Sequence, residues 1–202
     1  MKDRLLVALV LVGVVVGAFV CHVLFLLPLL VCALGLWEWW PLSKNPSCTP
    51  WLRIAVPVVF FVIPAVSFLN LGNDRGLVLV IVVALTDTLA YVIGRRFGRR
   101  KLAPSISPRK TWEGFLGAIV VAPTAVALGL SFFQGPPLFA FSSLVLLSLM
   151  SQLGDLMESK LKRHLNIKDT GTLLRGHGGI MDRVDGFILA APVAWLMSGG
   201  AL

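Results

Sequence analysis

Charged residues are scarce in this chain of 202 residues, because only 14% are Asp, Glu, Lys or Arg and 57% are hydrophobic. An average soluble domain carries about 25% charged residues. Several apolar runs approach the roughly 20 residues that cross the hydrocarbon core of a bilayer as a helix. The scarcity of charge therefore excludes an ordinary soluble domain and predicts a polytopic membrane protein whose spans are helices.

Cysteine is also scarce, and acidic residues are outnumbered by basic ones. The three cysteines, Cys21, Cys32 and Cys48, form no CxxC pair, which argues against a disulfide framework and against a zinc site. The 18 basic and 10 acidic residues leave a net charge of +8. The basic residues lie in a few segments between apolar runs and form no long basic face. They therefore indicate lipid headgroups or nucleotide phosphates as partners, and no nucleic acid.

Hydropathy predicts the fold class, an all-α transmembrane bundle of about seven spans with a cytoplasmic N-terminus. This topology puts every basic residue except Arg75 on the cytoplasmic side, as the positive-inside rule requires. The sixth span is expected to continue as a helix to Arg163. The predicted spans are approximately Leu5–Val20, Val23–Trp40, Trp51–Leu69, Leu77–Gly94, Thr111–Phe133, Leu138–Leu156 and Val184–Leu202.

The chain is expected to divide into two regions. Residues 1–76 form three N-terminal spans, and residues 77–202 form a second transmembrane region. The second region has cytoplasmic loops at 95–110 and 157–183, which are rich in polar residues. We therefore expect the functional site in the second region.

A polar stretch lies at the end of the sixth span. Asp155, Ser159 and Lys162 are spaced i, i+4, i+7 and therefore share one face of a helix, which Glu158 and Arg163 flank. A carboxylate on this face can bind a cation while the basic side chains reach phosphate groups. An amphipathic helix end with solvated charges is the alternative interpretation.

Two acids, Asp182 and Asp185, follow a glycine-rich turn at residues 176–179. A helix N-terminus favours acids by about 0.3–1 kcal/mol, which explains one acid better than two. Glycine N–H groups can approach an anion, and Mg²⁺ takes one or two carboxylates together with substrate phosphates. Asp155 with Asp182 or Asp185 is therefore the predicted metal site. His177 in the turn is the histidine to test first.

Two further segments carry polar residues beside apolar spans. Asp87 lies inside the fourth span, where a charge costs about 2.5–3.5 kcal/mol, so it is expected to face the bundle interior or a wet cavity. A structural polar contact is the alternative. Ser107 is expected to cap the fifth span with Pro108 in its first turn. Arg109 and Lys110 would then meet phosphates at the cytoplasmic surface.

Two long motifs combine these residues. The first consists of Ser159, Leu161, Lys162, Arg163, Lys168, Asp169, Gly171, Leu174, His177, Gly178, Gly179, Ile180, Asp182, Arg183 and Asp185, and the second runs from Asp87 to Gly114. Together they closely resemble the signatures of the CDP-diacylglycerol synthase family, also called phosphatidate cytidylyltransferase. The one departure is Arg175, where the family usually has Pro. The resemblance covers roughly Leu77 to the C-terminus.

The resemblance implies an enzyme that makes CDP-diacylglycerol and pyrophosphate from CTP and phosphatidate in phospholipid synthesis. It implies Mg²⁺, with K⁺ as a second cation. Asp155 and Asp182 are the assigned metal ligands, and Asp185 and Asp87 are supporting candidates. Lys162 and His177 are the other catalytic candidates. It also implies a homodimer in the bacterial cell membrane, with the active site facing the cytoplasm. The substrate-binding candidates are Ser107, Lys110, Ser159, Arg163, Lys168, Gly178, Gly179, Arg183 and Asp87.

Other functions stay open. A CTP-dependent polyprenol or phytol kinase, or a CDP-lipid synthase of archaeal type, would use similar groups. A kinase releases CDP, whereas a cytidylyltransferase releases pyrophosphate. An ion transporter would use Asp87 and the other carboxylates as an ion path and would show flux without CTP. A shortened, inactive relative would act as a scaffold.

Overall fold

The computed structural model describes residues 13–22, 24, 26–132, 141–171 and 178–199, and most of this part of the chain is helical. Helix α1 covers residues 13–20 of the described part. The other elements, in chain order, are α2 (Leu26–Leu42), α3 (Pro50–Leu69), α4 (Gly72–Phe97), β1 (Lys101–Ala103), β2 (Ser107–Thr111), α5 (Trp112–Phe132), α6 (Phe141–His164), α7 (Met181–Val184) and α8 (Phe187–Met197). Helix α3 contains a π-helical stretch at Val58–Val62, just before Pro64, which lacks an N–H for the regular ladder.

Three of the described helices are long and apolar enough to cross a membrane: α3, α4 and the Trp112–Gly129 part of α5. Helices α2 and α8 are apolar but shorter. The protein is therefore a helical membrane protein, as hydropathy predicts. The count of seven spans and the cytoplasmic N-terminus stay predictions. The helix of the sixth predicted span, α6, is not among these three, and the first predicted span, Leu5–Val20, lies partly outside the described residues.

A β-hairpin lies between α4 and α5 and adds a small two-stranded sheet to the mainly helical fold. Its two strands are antiparallel, with an irregularity in the pairing. The Glu113 carboxylate accepts hydrogen bonds from the backbone N–H groups of Arg99 (3.0 Å) and Arg100 (3.2 Å). This closes the hairpin onto the first turn of α5. Sequence patterns do not predict the hairpin, because its strands are short and lack the alternation of apolar and polar residues that is typical of a strand.

The hairpin also changes the start of the fifth helix. Ser107 and Pro108 belong to strand β2, so the prediction that they cap and begin this helix is wrong. The helix begins at Trp112 instead. The Thr111 hydroxyl accepts a hydrogen bond from the N–H of Gly114 at 3.2 Å, which is the capping contact that we predicted for the serine.

Glycine residues bring α4 and α5 close together beside the hairpin. A Cβ added to Gly114 would lie 2.5 Å from the carbonyl oxygen of Ala90 and 2.9 Å from the Cα of Gly94. A larger side chain there would push the two helices apart. The contact therefore fixes the ends of both helices next to the polar residues that they carry.

Two buried apolar clusters connect the helices. The first joins α4, α5, α6 and α8 and includes Leu79, Val82, Val126, Leu147 and Ala190. The second joins α2 and α3 to α6 and α7 and includes Trp39, Leu52, Phe61, Leu161 and Met181. The second cluster packs the N-terminal helices against the segment that carries the polar motif.

Candidate functional site

Three carboxylates converge where α6 meets the start of α8. Asp155 and Glu158 lie on α6, and Asp185 lies just before α8. Each offers an oxygen, and these oxygens lie within 4.8 Å of one another. Gly154 permits this approach, because a Cβ there would overlap the carbonyl oxygen of Asp185.

The donor set of this acid cluster (Asp155, Glu158 and Asp185) fits a hard divalent cation. It consists of carboxylate oxygens, which Mg²⁺ prefers. The side chain of Glu158 is fully buried, and its Oε1 has no hydrogen-bond partner among the described residues. A buried carboxylate oxygen without a donor is costly, and a bound cation would satisfy it. The described residues could therefore hold Mg²⁺ here.

Two lysines flank the acid cluster. The Lys110 ammonium lies 2.6 Å from Asp155 Oδ2. The Lys162 ammonium forms ion pairs with Glu158 and, at 2.7 Å, with Asp182 Oδ1. These two ammonium groups stand beside four carboxyl groups. A divalent cation bound among the acids would favour the ionised form of each.

Asp182 lies outside the acid cluster, and donors occupy both of its oxygens. Oδ1 accepts from Lys162, and Oδ2 accepts from the N–H (3.0 Å) and hydroxyl (2.9 Å) of Thr170 and from the N–H of Gly179 (2.8 Å). Burial raises the pKa of Asp182, but these hydrogen bonds and the lysine charge outweigh it and lower the pKa to about 2. The geometry therefore favours a structural role and gives the predicted metal-ligand role no support.

The described part of the glycine turn supplies a hydrogen bond to Asp182. Gly178 has a φ of +82°, in the left-handed region that glycine adopts readily. Gly179 donates its N–H to Asp182, so this group is not directed at a phosphate as we predicted. His177, the third residue of interest in the turn, lies outside the described residues.

A cavity of about 570 Å³ opens between α4, the hairpin, α5 and α6. Asp87 and Asp155 line it, so the structure brings these two acids to one cavity, although 68 positions separate them in the chain. Asp87 also lies near Gly186, where an added Cβ would be 3.6 Å from its Oδ2. The basic residues that line the cavity are Arg95, Lys101, Arg109 and Lys110. Basic side chains next to carboxylates in one cavity can bind a polyphosphate together with its metal ion.

The other predicted substrate-binding residues divide into two groups. Ser159 donates to Asp155 Oδ1 at 3.3 Å, and Arg163 Nε donates to the carbonyl oxygen of Ile106 at 3.2 Å, which ties α6 to the hairpin turn. Both therefore hold the site together. The second group is Ser107, which pairs with Ala103 in the hairpin, and the exposed Lys168 and Arg183; no residue of either group lines the cavity.

Two acids of this region were missing from the predicted site. Glu158 flanks the predicted helix face and follows Asp155 at spacing i, i+3, and this spacing is the signal that could have identified it. Glu38 on α2 accepts a hydrogen bond from the N–H of Ile180 at 2.6 Å. Because 142 positions separate these partners, spacing within the sequence gives no indication of the contact.

Comparison with known proteins adds a family and several relatives. The model of the cytidylyltransferase family matches residues 48–199. A phosphatidate cytidylyltransferase of Mycobacterium leprae is 43% identical over 156 residues, which are 76% of this chain and 50% of the relative. A phosphatidate cytidylyltransferase of Bacillus subtilis is 44% identical over 119 residues, which are 58% of this chain and 44% of the relative. The chain thus spans about half the length of the curated relatives it matches.

Proposed function

The chain belongs to the cytidylyltransferase family, and from that premise we propose that it transfers the CMP group of CTP to phosphatidate. The products are CDP-diacylglycerol and pyrophosphate. The observation that carries the proposal is the cavity lined by four basic residues beside Asp87 and Asp155. The relatives bear the name of this activity, which supports the same substrates for this chain.

The proposed reaction forms one P–O bond and breaks another. A phosphate oxygen of phosphatidate attacks the α-phosphorus of CTP, and the bond from that phosphorus to the bridging oxygen of the β-phosphate breaks. The attacking oxygen already carries negative charge, so the reaction needs no strong general base. The task of the protein is to bring the anions together and to stabilise the developing charge.

The acid cluster would hold Mg²⁺ through Asp155, Glu158 and Asp185. When bound, the ion would neutralise charge on the transferred phosphoryl group and on pyrophosphate. Lys110 and Lys162 keep the carboxylates in place by ion pairs. K⁺ as a second cation stays a prediction.

The basic residues of the cavity would hold the triphosphate. Lys101, Arg109 and Lys110 come from the hairpin strands, and Arg95 comes from the last turn of α4. Arg95 also donates to the hydroxyl of Tyr91 at 3.0 Å, which restrains its guanidinium. Cations in such positions favour CTP binding and stabilise the leaving pyrophosphate.

The membrane arrangement is part of the proposal. Seven spans with a cytoplasmic N-terminus would put both polar loops on the side where CTP and Mg²⁺ are found, and the distribution of Lys and Arg supports this. The bacterial relatives support location in the cell membrane. The division at residue 76 and the homodimer stay predictions.

The direct test uses purified protein, phosphatidate vesicles, Mg²⁺ and CTP labelled in either the α- or the γ-phosphate. We expect the α-label to appear in the lipid and the γ-label in pyrophosphate. Transfer of the γ-label to a lipid alcohol would identify a kinase instead. Absence of both products across several divalent metals would contradict the proposal and favour an inactive relative.

Arg109→Ala tests the role of the cavity. We expect KM for CTP to rise about tenfold or more, because a hydrogen bond to a charged group contributes about 1.5–3 kcal/mol. KM for phosphatidate should change little. Lys160→Ala is the matched control, since Lys160 is exposed on α6 and does not line the cavity. Equal KM values for CTP in both variants would remove Arg109 from the proposed nucleotide site.

A further inference from the structure

Glu38 lies on the N-terminal helix α2, and its carboxylate contacts the polar segment between α6 and α8. It lies near the end of α2 and is only 7% exposed. Its Oε2 accepts the N–H of Ile180 at 2.6 Å, in the residue just before α7. We infer that Glu38 is a positioning residue that fixes the position of the metal-binding acids through Gly179 and Ile180. This inference rests on the proposed metal-dependent function.

Two glycines are fitted closely around this carboxylate. A Cβ added to Gly171 would overlap Oε1, and the three nearest atoms all belong to Glu38. A Cβ added to Gly179 would lie 2.5 Å from Oε2. These glycines stand on either side of residues 172–177 in the chain. The Glu38 carboxylate therefore fills the space beside Gly171 and Gly179 that larger side chains would need.

A continuous series of contacts leads from Glu38 to the acid cluster. Gly179, whose neighbour Ile180 donates its N–H to Glu38, donates its own N–H to Asp182. Asp182 holds Lys162, and Lys162 in turn pairs with Glu158. Displacement of the Glu38 carboxylate would therefore release Gly179 and Ile180 and change where Glu158 lies. Groups that orient metal ligands in this indirect way typically change metal affinity about 10–100-fold when removed.

The first test measures metal binding without turnover. Mn²⁺ replaces Mg²⁺ and is followed by electron paramagnetic resonance in the absence of CTP and lipid. We expect Glu38→Ala to weaken Mn²⁺ binding about tenfold or more and to speed amide exchange at Ile180. Glu38→Gln retains an acceptor for that N–H and should restore most of the affinity.

Val56→Ala is the matched control for a loss of stability. Val56 is 2% exposed and belongs to the same buried cluster as Trp39, the neighbour of Glu38. The substitution should lower Tm through a cavity in the core but leave Mn²⁺ affinity unchanged. If Val56→Ala weakens Mn²⁺ binding as much as Glu38→Ala, the effect is general loosening and the inference fails.

A double-mutant cycle tests the contact itself. Gly171→Ala should weaken Mn²⁺ binding in the wild-type background, because its Cβ would overlap the Glu38 carboxylate. In the Glu38→Ala background that carboxylate is absent, so the same substitution should have little further effect. Such non-additivity indicates direct coupling between the two positions. Additive effects would overturn the inference.

The outcomes separate this inference from the proposed function. Weakened Mn²⁺ binding by Glu38→Ala supports the positioning role even if no CDP-diacylglycerol is formed, in which case only the proposed substrates are contradicted. Unchanged Mn²⁺ affinity and unchanged amide exchange in Glu38→Ala would overturn the positioning role even if the wild-type protein is an active enzyme.

Discussion

Glu158→Gln is expected to lower kcat about a hundredfold or more, which is the scale on which a group that stabilises transition-state charge acts. The amide keeps the volume of a fully buried side chain but loses its charge. Mn²⁺ binding should weaken in parallel, because the acid cluster loses one of its three carboxylates. The measurements are kcat as a function of Mg²⁺ concentration and Mn²⁺ binding by electron paramagnetic resonance.

The stability of the Glu158→Gln variant is expected to stay close to that of the wild-type protein. Lys162 retains Asp182 as a partner, and the charge repulsion among Glu158, Asp155 and Asp185 decreases. Asp74→Asn is the control, because Asp74 is an exposed acid in the first turn of α4. Full activity of Glu158→Gln with an unchanged Mg²⁺ requirement would refute the proposed ligand set.

Asp182→Asn is expected to show the opposite pattern, with a large loss of stability. Hydrogen bonds to a charged group contribute about 1.5–3 kcal/mol, and an asparagine cannot accept on both sides. If its oxygen faces Thr170 and Gly179, its amide nitrogen faces the Lys162 ammonium. Activity should fall about 10–100-fold because Lys162 and the glycine turn are displaced.

The comparison of these two variants decides which acid binds the metal. Thermal unfolding in detergent should show a lower Tm for Asp182→Asn and little change for Glu158→Gln. Mn²⁺ binding should be weakened more by Glu158→Gln. If Asp182→Asn abolishes Mn²⁺ binding without lowering Tm, Asp182 is a ligand and its role as a structural acceptor is refuted.

The contribution of Asp182 to stability should depend on pH in a definite direction. Its folded pKa of about 2 lies below the ordinary value of 3.8. The stabilisation is therefore complete above the ordinary pKa and is lost as the pH falls toward 2. The Tm difference between wild type and Asp182→Asn should be constant from about pH 5 to 8 and shrink below about pH 4. A difference that grows on acidification would contradict the hydrogen-bonding scheme.

Local spacing predicted those parts of the site that lie on one element. Asp155, Ser159 and Lys162 share a helix face by their spacing alone, and the structure confirms a helix there with a hydrogen bond between the first two. Apolar length likewise predicted α3, α4 and α5 as membrane helices. These features follow from the period of the helix and the thickness of the bilayer, which act on neighbouring residues.

Tertiary structure alone decided which of the acids meet. The sequence favours Asp182 over Asp185 as a metal ligand, whereas folding directs Asp185 toward Asp155 and Glu158 and surrounds Asp182 with donors. The β-hairpin, closed by Glu113, likewise brings Lys110 to Asp155. These pairings join side chains many residues apart, and their energies depend on burial and on the partners that packing supplies, neither of which the spacing of residues in the chain encodes.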